Sequence, residues 1–256
     1  MKTQELLFEQ QGSIGFLTFN RPQARNALTF AMYEGIAEFC RNPPEGLRAV
    51  IVSGAGGKAF AAGTDIAQFR EFTTEQHALD YEATMDRVLG DIEYCPVPTI
   101  AAISGACTGG GAVIASACDI RLATNDLRYG FPIARTLGNC LSAANIARLN
   151  ALLGAGRLRE MIFTSRLLGA TEAQQIGLIS EITEDHDSLM LRAGQLAERV
   201  VENAPLTLQA TKEIQRRLQQ TTANDRDWIV RCYTSEDFRE GLEAFLGKRK
   251  PEWQGR

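Results

Sequence analysis

The sequence predicts an α/β fold that gives way to a helical C-terminal region. Three observations carry this: near-continuous apolar runs at Ala49-Val50-Ile51-Val52-Ser53 and over 98–103, glycine-rich turns that close them, and an apolar periodicity that is helical almost to the end beyond Asp187. Strands without polar interruption are buried on both faces, as in a sheet covered by helices.

Taken in order, Gly15-Phe16-Leu17-Thr18-Phe19 reads as a short strand ended by the turn Asn20-Arg21-Pro22, and 29–40 has a helical pattern. The strand 49–53 is closed by Gly54 and Gly56-Gly57, the polar segment 65–91 is helical in pattern, and 98–103 is a second buried strand. A glycine-rich turn leads to a buried helix over 112–118 and the strand Asp119-Ile120-Arg121-Leu122-Ala123. The pattern over 142–169 is helical, and 171–182 holds a helix start, a stop at Gly177 and a strand over 178–182. The change from α/β core to helical tail is placed so that 1–195 forms the core and 196–256 the tail. The uncharged stretch between Glu93 and Asp119 is long enough for a membrane span. Pro96, Pro98 and Gly109-Gly110-Gly111 make it a strand, a turn and a buried helix instead.

Composition narrows the chemistry. A chain of 256 residues with 45% hydrophobic and 23% charged residues buries a substantial core. A formal net charge of −4 argues against nucleic-acid binding. The basic run Lys248-Arg249-Lys250 suits a small anionic ligand or a solvated helix end. Six scattered cysteines without a CxxC pair argue against a metal site and point to reduced thiols in the cytoplasm. The N-terminal residues, with Glu5 and Glu9, have no apolar run for a signal peptide. Neither GxGxxG nor GxxxxGK[ST] occurs, so dinucleotide and P-loop folds are not indicated.

Two glycine-rich turns, Phe60-Ala61-Ala62-Gly63-Thr64-Asp65 and Ser104-Gly105-Ala106-Cys107-Thr108-Gly109-Gly110-Gly111, each lie between a buried strand and a helix. Small residues there let a ligand reach the backbone, and first-turn N–H groups point outwards as donors. Close packing of strand on helix also calls for glycine, so the turns alone leave both readings open.

Read together, Asn20-Arg21-Pro22, Asn26-Ala27-Leu28, Lys58-Ala59-Phe60-Ala61-Ala62-Gly63-Thr64-Asp65-Ile66, Gly109-Gly110-Gly111, Cys118-Asp119-Ile120 and the late run from Gly241 to Pro251 occur in the order found in the enoyl-CoA hydratase/isomerase (crotonase) family. The chain resembles that family over essentially its whole length. The resemblance implies a crotonase-like spiral of ββα units and a C-terminal helical region that packs on a neighbouring subunit, in a homotrimer or a dimer of trimers. It implies an acyl-CoA thioester as substrate, with coenzyme A as part of it, and no permanently bound cofactor; the net charge and the broken apolar stretch, not the resemblance, argue against nucleic acid and membrane as partners. The backbone N–H groups of Thr64 and Gly110 match the family's oxyanion hole. Ala24, Arg25, Ala62 and Asp65 match the wall of the coenzyme A site, and Phe245 and Lys248 match the C-terminal residues that approach the adenine and its phosphate.

One departure bears on the reaction. Enoyl-CoA hydratases place one glutamate just after the glycine run and another twenty positions later; Val113 and Ile133 stand there in this chain. Each missing acid or base is worth roughly a hundredfold to ten-thousandfold. Arg135, Asn139, Cys140 and Ser142 are the polar residues of the segment that follows, read either as a replacement apparatus or as a loop-to-helix junction with Asn139 or Ser142 as cap. His77 lies in the helical region that borders the acyl pocket in that family and reads either as a base or as a surface histidine, and His186 reads as a residue of a solvated loop. The expected function is an acyl-CoA enzyme that stabilises a thioester enolate. The alternatives are decarboxylation of a malonyl-type thioester on the same fold and non-catalytic acyl-CoA binding.

Overall fold

Strands β1 (Leu6–Gln11) and β2 (Ile14–Phe19) form an antiparallel hairpin in the computed structural model, which describes residues 4–219 and 226–252. Helix α1 (Phe30–Arg41) follows, its first turn capped by the Thr29 hydroxyl. From there the chain repeats one pattern. Strand β3 (Ala49–Gly54) joins a large sheet, β4 (Ala59–Ala61) a small one, and α2 (Glu75–Glu93) returns across them. Strands β5 (Thr99–Ile103) and β6 (Ala106–Thr108) with α3 (Gly110–Ala117) make the second turn. Strands β7 (Ile120–Thr124) and β8 (Arg128–Gly130) open the third, continued by α4 (Ile133–Thr136), α5 (Ala143–Leu153) and α6 (Ala155–Thr164). After α7 (Ala170–Gln175), β9 (Glu181–Thr183) closes the large sheet.

The sheet orders are β1-β2-β3-β5-β7-β9 and β4-β6-β8, parallel throughout except for the first hairpin. Each turn therefore adds one strand to each sheet, which is the expected spiral of ββα units. The repeat lies in topology, not in a fixed sequence period.

Helix α8 (His186–Val201) lies on the outer face of the large sheet, where Leu189, Ala193 and Ala197 meet Ile51, Ile100 and Leu122. The alternate residues Val50, Val52, Ala101 and Ile103 face the main core. Burial on both faces is why these strands carry no polar alternation. Truncating Leu189 to alanine is expected to cost about 2–5 kcal/mol by urea unfolding, with the cleft described below unchanged. Because α8 runs through the division drawn at 195/196, the sheet's covering layer extends to Val201.

Beyond it come α9 (Pro205–Gln219), α10 (Arg226–Tyr233) and α11 (Glu236–Leu246). In the single chain α10 folds back over α2, and α11 over the 3-10 segment Ile66–Glu71 and α4: Ile229, Tyr233, Phe238 and Leu242 pack with Phe69, Ala78 and Leu137. These two helices thus also pack within their own chain. Aromatic contacts hold them there, since Phe69 lies edge-on to Tyr81 and Phe238, and Tyr233 lies 5.0 Å from Phe238.

Several local expectations shift. The helix expected over 65–91 is a 3-10 segment (Ile66–Glu71) followed by α2, separated where Thr74 caps the latter. The helix expected over 142–169 breaks at Gly154, which sits at φ 81°. The strand over 178–182 narrows to β9, with Leu178 and Ile179 buried ahead of it. The glycine-rich turns each contribute a strand, β4 and β6, to the small sheet. The uncharged stretch 94–118 becomes β5, β6 and α3, and no described helix is long and apolar enough to cross a membrane. The six cysteines are free thiols. Burial holds the thiols of Cys107 and Cys118 protonated, the latter pushed up to about 12.

His186 is a correction. It opens α8 half-buried against Gly57, with its ring Nδ1 2.9 Å from the buried Ser104 hydroxyl. Its acidic neighbours Glu184 and Asp187 suggested a solvated loop, but the helix start turns the ring inwards.

Candidate active site

The turn that carries Thr64 is held by the turn that precedes α1. Leu28 N donates to Gly63 O at 2.8 Å and Asp65 N to Leu28 O at 2.8 Å, while Ala62 N donates to Arg25 O at 3.0 Å. Bonds to residues 63 and 65 that straddle residue 64 direct the Thr64 N–H away from Leu28. Asn26, fully buried at φ 56°, locks the assembly: its Nδ2 donates to Ala55 O at 3.0 Å and Ala59 O at 2.8 Å, and its Oδ1 accepts from Arg21 N at 3.0 Å. Arg21 in turn pairs with Glu5 and Asp65.

The second glycine-rich turn closes on the first. Gly109, at φ 52°, precedes α3, and a Cβ there would lie 3.6 Å from Gly63 Cα. A Cβ on Gly110 would lie 1.9 Å from the Tyr33 hydroxyl and 2.9 Å from Thr64 Oγ1; one on Gly111 would lie 2.3 Å from Ala61 O. The first turn of α3 therefore sits against the turn carrying Thr64 with no room for side chains. Gly110 is its first helical residue, so its N–H has no acceptor within the helix.

Thr64 Oγ1 shares hydrogen bonds with the hydroxyls of Tyr33 at 2.8 Å and Tyr81 at 3.2 Å. Burial, more than any other cause, raises both phenols above their ordinary range, and the nearby charge of Glu82 adds to it. Both tyrosines stay neutral and fix the threonine side chain, leaving the backbone N–H as its available donor.

Thr64 and Gly110 line a cleft of about 510 Å³. Ala24, Arg25, Ala62, Asp65 and Phe245 line it as well. Asp65 is a wall and not a free charge, since its carboxylate accepts from Arg21 at 2.9 Å and from Ala67 N at 3.2 Å. Lys248 lies outside the lining, exposed at φ 53° just beyond α11. Its neighbour Arg249 pairs with Glu240, whose carboxyl that guanidinium holds down at about 2. The arginine of the basic run is thus committed to the protein.

Val113, Ile133, Leu137, Leu141, Met85 and Leu89 give the cleft an apolar stretch of wall. Val113 is 4% exposed and Ile133 9%. Of the segment after Ile133, Asn139 reaches the cleft, where its Nδ2 donates to the Tyr233 hydroxyl at 3.1 Å. Its buried Oδ1 has no protein donor among the described residues. Ser142 is the cap of α5, accepting from Asn145 N at 3.2 Å and donating to Asp86 at 2.6 Å. Arg135 and Cys140 are not in the lining, and His77 accepts from Thr73 N on an exposed turn outside it.

Sequence reading missed Glu82. It lines the cleft from α2, is 4% exposed, and accepts from the Tyr233 hydroxyl at 2.5 Å. The signal was present: Ala78, Glu82, Met85 and Leu89 fall on one stripe of α2, so a carboxylate stands in the helix's inward face. Tyr33, Tyr81 and Tyr233 were missed too, and no local pattern marks them. Among the described residues no cluster of three His, Cys, Asp or Glu side chains suits a metal ion.

Comparison with known proteins bears on this cleft. The family model described as enoyl-CoA hydratase/isomerase matches residues 9–256. The chain is 34% identical over 260 residues to a short-chain-enoyl-CoA hydratase of Clostridium acetobutylicum, covering 98% of each. Among solved structures it resembles an enoyl-CoA hydratase/carnithine racemase from Magnetospirillum magneticum at 32% identity, covering 100% of this chain and 97% of that one, with a TM-score of 0.79. It also resembles a methylmalonyl-CoA decarboxylase in complex with 2-nitronate-propionyl-CoA at 25% identity, covering 100% of each chain, with a TM-score of 0.89.

Proposed function

The chain belongs to the enoyl-CoA hydratase/isomerase family, and from that premise we propose that this acyl-CoA enzyme stabilises a thioester enolate between the backbone N–H groups of Thr64 and Gly110. One observation carries the reading: the two glycine-rich turns meet in the cleft with no side chain between them, and the hydroxyl of Thr64 is already committed to two buried tyrosines. A fixed pair of donors in a water-poor site stabilises developing negative charge without reorganising, and one such donor is typically worth about a hundredfold to a thousandfold in rate.

On the same reading the coenzyme A moiety lies along Ala24, Arg25, Ala62 and Asp65, with Phe245 beside it and Lys248 reaching its phosphates. Arg25 is exposed at the lip of the cleft and supplies the cation that the committed Arg249 does not. Replacing Arg25 and Lys248 together by alanine is expected to raise KM for a thioester about tenfold, equivalent to about 1.4 kcal/mol, with kcat little changed. Steady-state kinetics checks the split. The chain assembles as a homotrimer or a pair of trimers through the helical region from about residue 196. Exposed Leu206 and Ile214 on α9 support this, and light scattering tests it.

Decarboxylation of a malonyl-type thioester is the second reading. Two observations favour it: Val113 and Ile133 make the acyl wall apolar at the positions where hydratases carry glutamates, and the likeness to the decarboxylase extends over the whole chain. Loss of carbon dioxide leaves the enolate directly, so the oxyanion hole is the main requirement. The test is a panel of enoyl-, 3-hydroxyacyl-, β-keto- and malonyl-type CoA thioesters followed by mass spectrometry. Turnover of the malonyl type alone selects decarboxylation, and turnover of enoyl or 3-hydroxyacyl thioesters selects hydration. If every thioester binds and none is converted, the chain is a binding protein and the catalytic reading fails.

A further inference from the structure

We infer that Met85 limits the length of acyl chain this enzyme accepts, by closing the cleft off from a second, aromatic cavity that shares its wall. The inference rests on the acyl-CoA reading above and adds the feature that selects the substrate by size.

The second cavity, of about 300 Å³, is lined from α1 and α2 and the turn before α2. Phe30, Tyr33, Phe72, Tyr81 and Met85 form its walls. Exposed Glu34, His77 and Asp80 also line it, so it opens to solvent. Tyr81 and Met85 line the main cleft as well, one turn apart on the same face of α2. Where these two face both spaces, the partition is one side chain thick. Tyr33 completes it, because its hydroxyl lies 2.8 Å from Oγ1 of Thr64, a residue of the cleft.

The members of this partition are held in different ways. Tyr33 is 1% exposed and bonded to Thr64. Tyr81 shares a hydrogen bond with the same oxygen at 3.2 Å, and its ring packs on Phe30, Phe69 and Phe72. Moving either phenol would disturb the turn that carries Thr64. Met85 is buried too, but an unbranched thioether is held by apolar contact alone. Shortening it opens the partition while the bonds to Thr64 stay in place.

The two spaces suit one apolar chain. Val113, Leu89 and Met85 belong to the apolar wall of the cleft, and the rings of Phe30, Phe72 and Tyr81 continue an apolar surface beyond Met85. Each methylene taken out of water is worth about fourfold in affinity, and with Met85 in place a long tail has no apolar path onwards to collect it. The native enzyme therefore selects short acyl chains.

Calorimetry with butyryl-, hexanoyl-, octanoyl- and decanoyl-CoA tests this without relying on turnover. In the wild type, affinity is expected to rise to hexanoyl-CoA and to gain less than about twofold in total from there to decanoyl-CoA. In Met85→Ala the ratio of decanoyl to butyryl affinity is expected to exceed that of wild type at least about tenfold. Leu89→Ala is the control. Leu89 lines the cleft but not the aromatic cavity, so its truncation is expected to leave that ratio within about threefold of wild type. Met85→Val, which loses the sulfur and leaves a smaller void, serves if the alanine variant melts early, with a gain of at least about threefold. Wild-type affinity that climbs steadily to decanoyl-CoA overturns the inference. So does a ratio unchanged by the Met85 variants, or one raised as much by Leu89→Ala. Wild-type protein that binds no thioester, butyryl-CoA included, sinks the acyl-CoA reading of the cleft itself, and the role of Met85 with it.

Discussion

Gly110→Ala is expected to lower kcat/KM on the preferred thioester at least about a hundredfold while leaving the fold intact. The added Cβ would stand 1.9 Å from the Tyr33 hydroxyl. That phenol cannot swing away cheaply, since Tyr33 is 1% exposed and its hydroxyl is bonded to Thr64. Either the phenol displaces Thr64 or the first turn of α3 recedes, and both widen the gap between the two backbone donors. A 1 Å misplacement of such donors is enough to lose the effect claimed for them. The control is Tyr33→Phe combined with Gly110→Ala. Without the hydroxyl oxygen, the nearest atoms to the added Cβ are Thr64 Oγ1 at 2.9 Å, freed from its bond to Tyr33, and the ring carbon at 3.2 Å, so the severest of the three contacts is removed. The double variant should recover at least about tenfold over the single one. A single variant within threefold of wild type would mean that the two turns are not the oxyanion hole.

A stability effect as large as a truncation in the apolar core is expected at Asn26. Asn26→Ala removes two donated bonds and one accepted bond at a site with no exposure, and leaves a non-glycine residue at φ 56°. At about 1 kcal/mol per bond, plus the cost of stranding Arg21 N and the carbonyls of Ala55 and Ala59, the loss is about 3–5 kcal/mol. For a chain of this size that lowers Tm by roughly 10 °C, at about 2–4 °C per kcal/mol. Activity should fall further than stability, because Arg25 and Leu28, on either side of Asn26, hold the segment 62–65. Asn26→Asp is a sharper probe: it keeps the acceptor for Arg21 N and loses both donated bonds. Thermal melting and turnover that match wild type for Asn26→Asp would contradict the role of the amide.

Both predictions rest on residues that the sequence already marked, which shows where the sequence was informative. Asn26, Thr64 and Gly110 belong to motifs whose spacing is local. Each sits in a turn whose backbone geometry is set by its immediate neighbours, so reading a few adjacent residues is enough. The buried strands were legible for a similar reason: β3 and β5 are covered on both faces and show it in unbroken apolar runs. The short strands β4, β6 and β8 left little trace, because three residues inside a glycine-rich segment carry no period.

By itself, then, the sequence determined an α/β spiral with a helical tail, the two turns that face the cleft, and the absence of carboxylates at positions 113 and 133. Tertiary structure decided what fills the space those residues leave. Glu82 and Tyr233 are 151 positions apart, and Tyr33 meets Thr64 across 31, so no local pattern brings them together. The physical reason is that backbone donors are fixed by turn chemistry, whereas a buried carboxylate is placed by whatever folds over it. Here that is α10, returning onto α2 of its own chain and seating a phenol against Glu82.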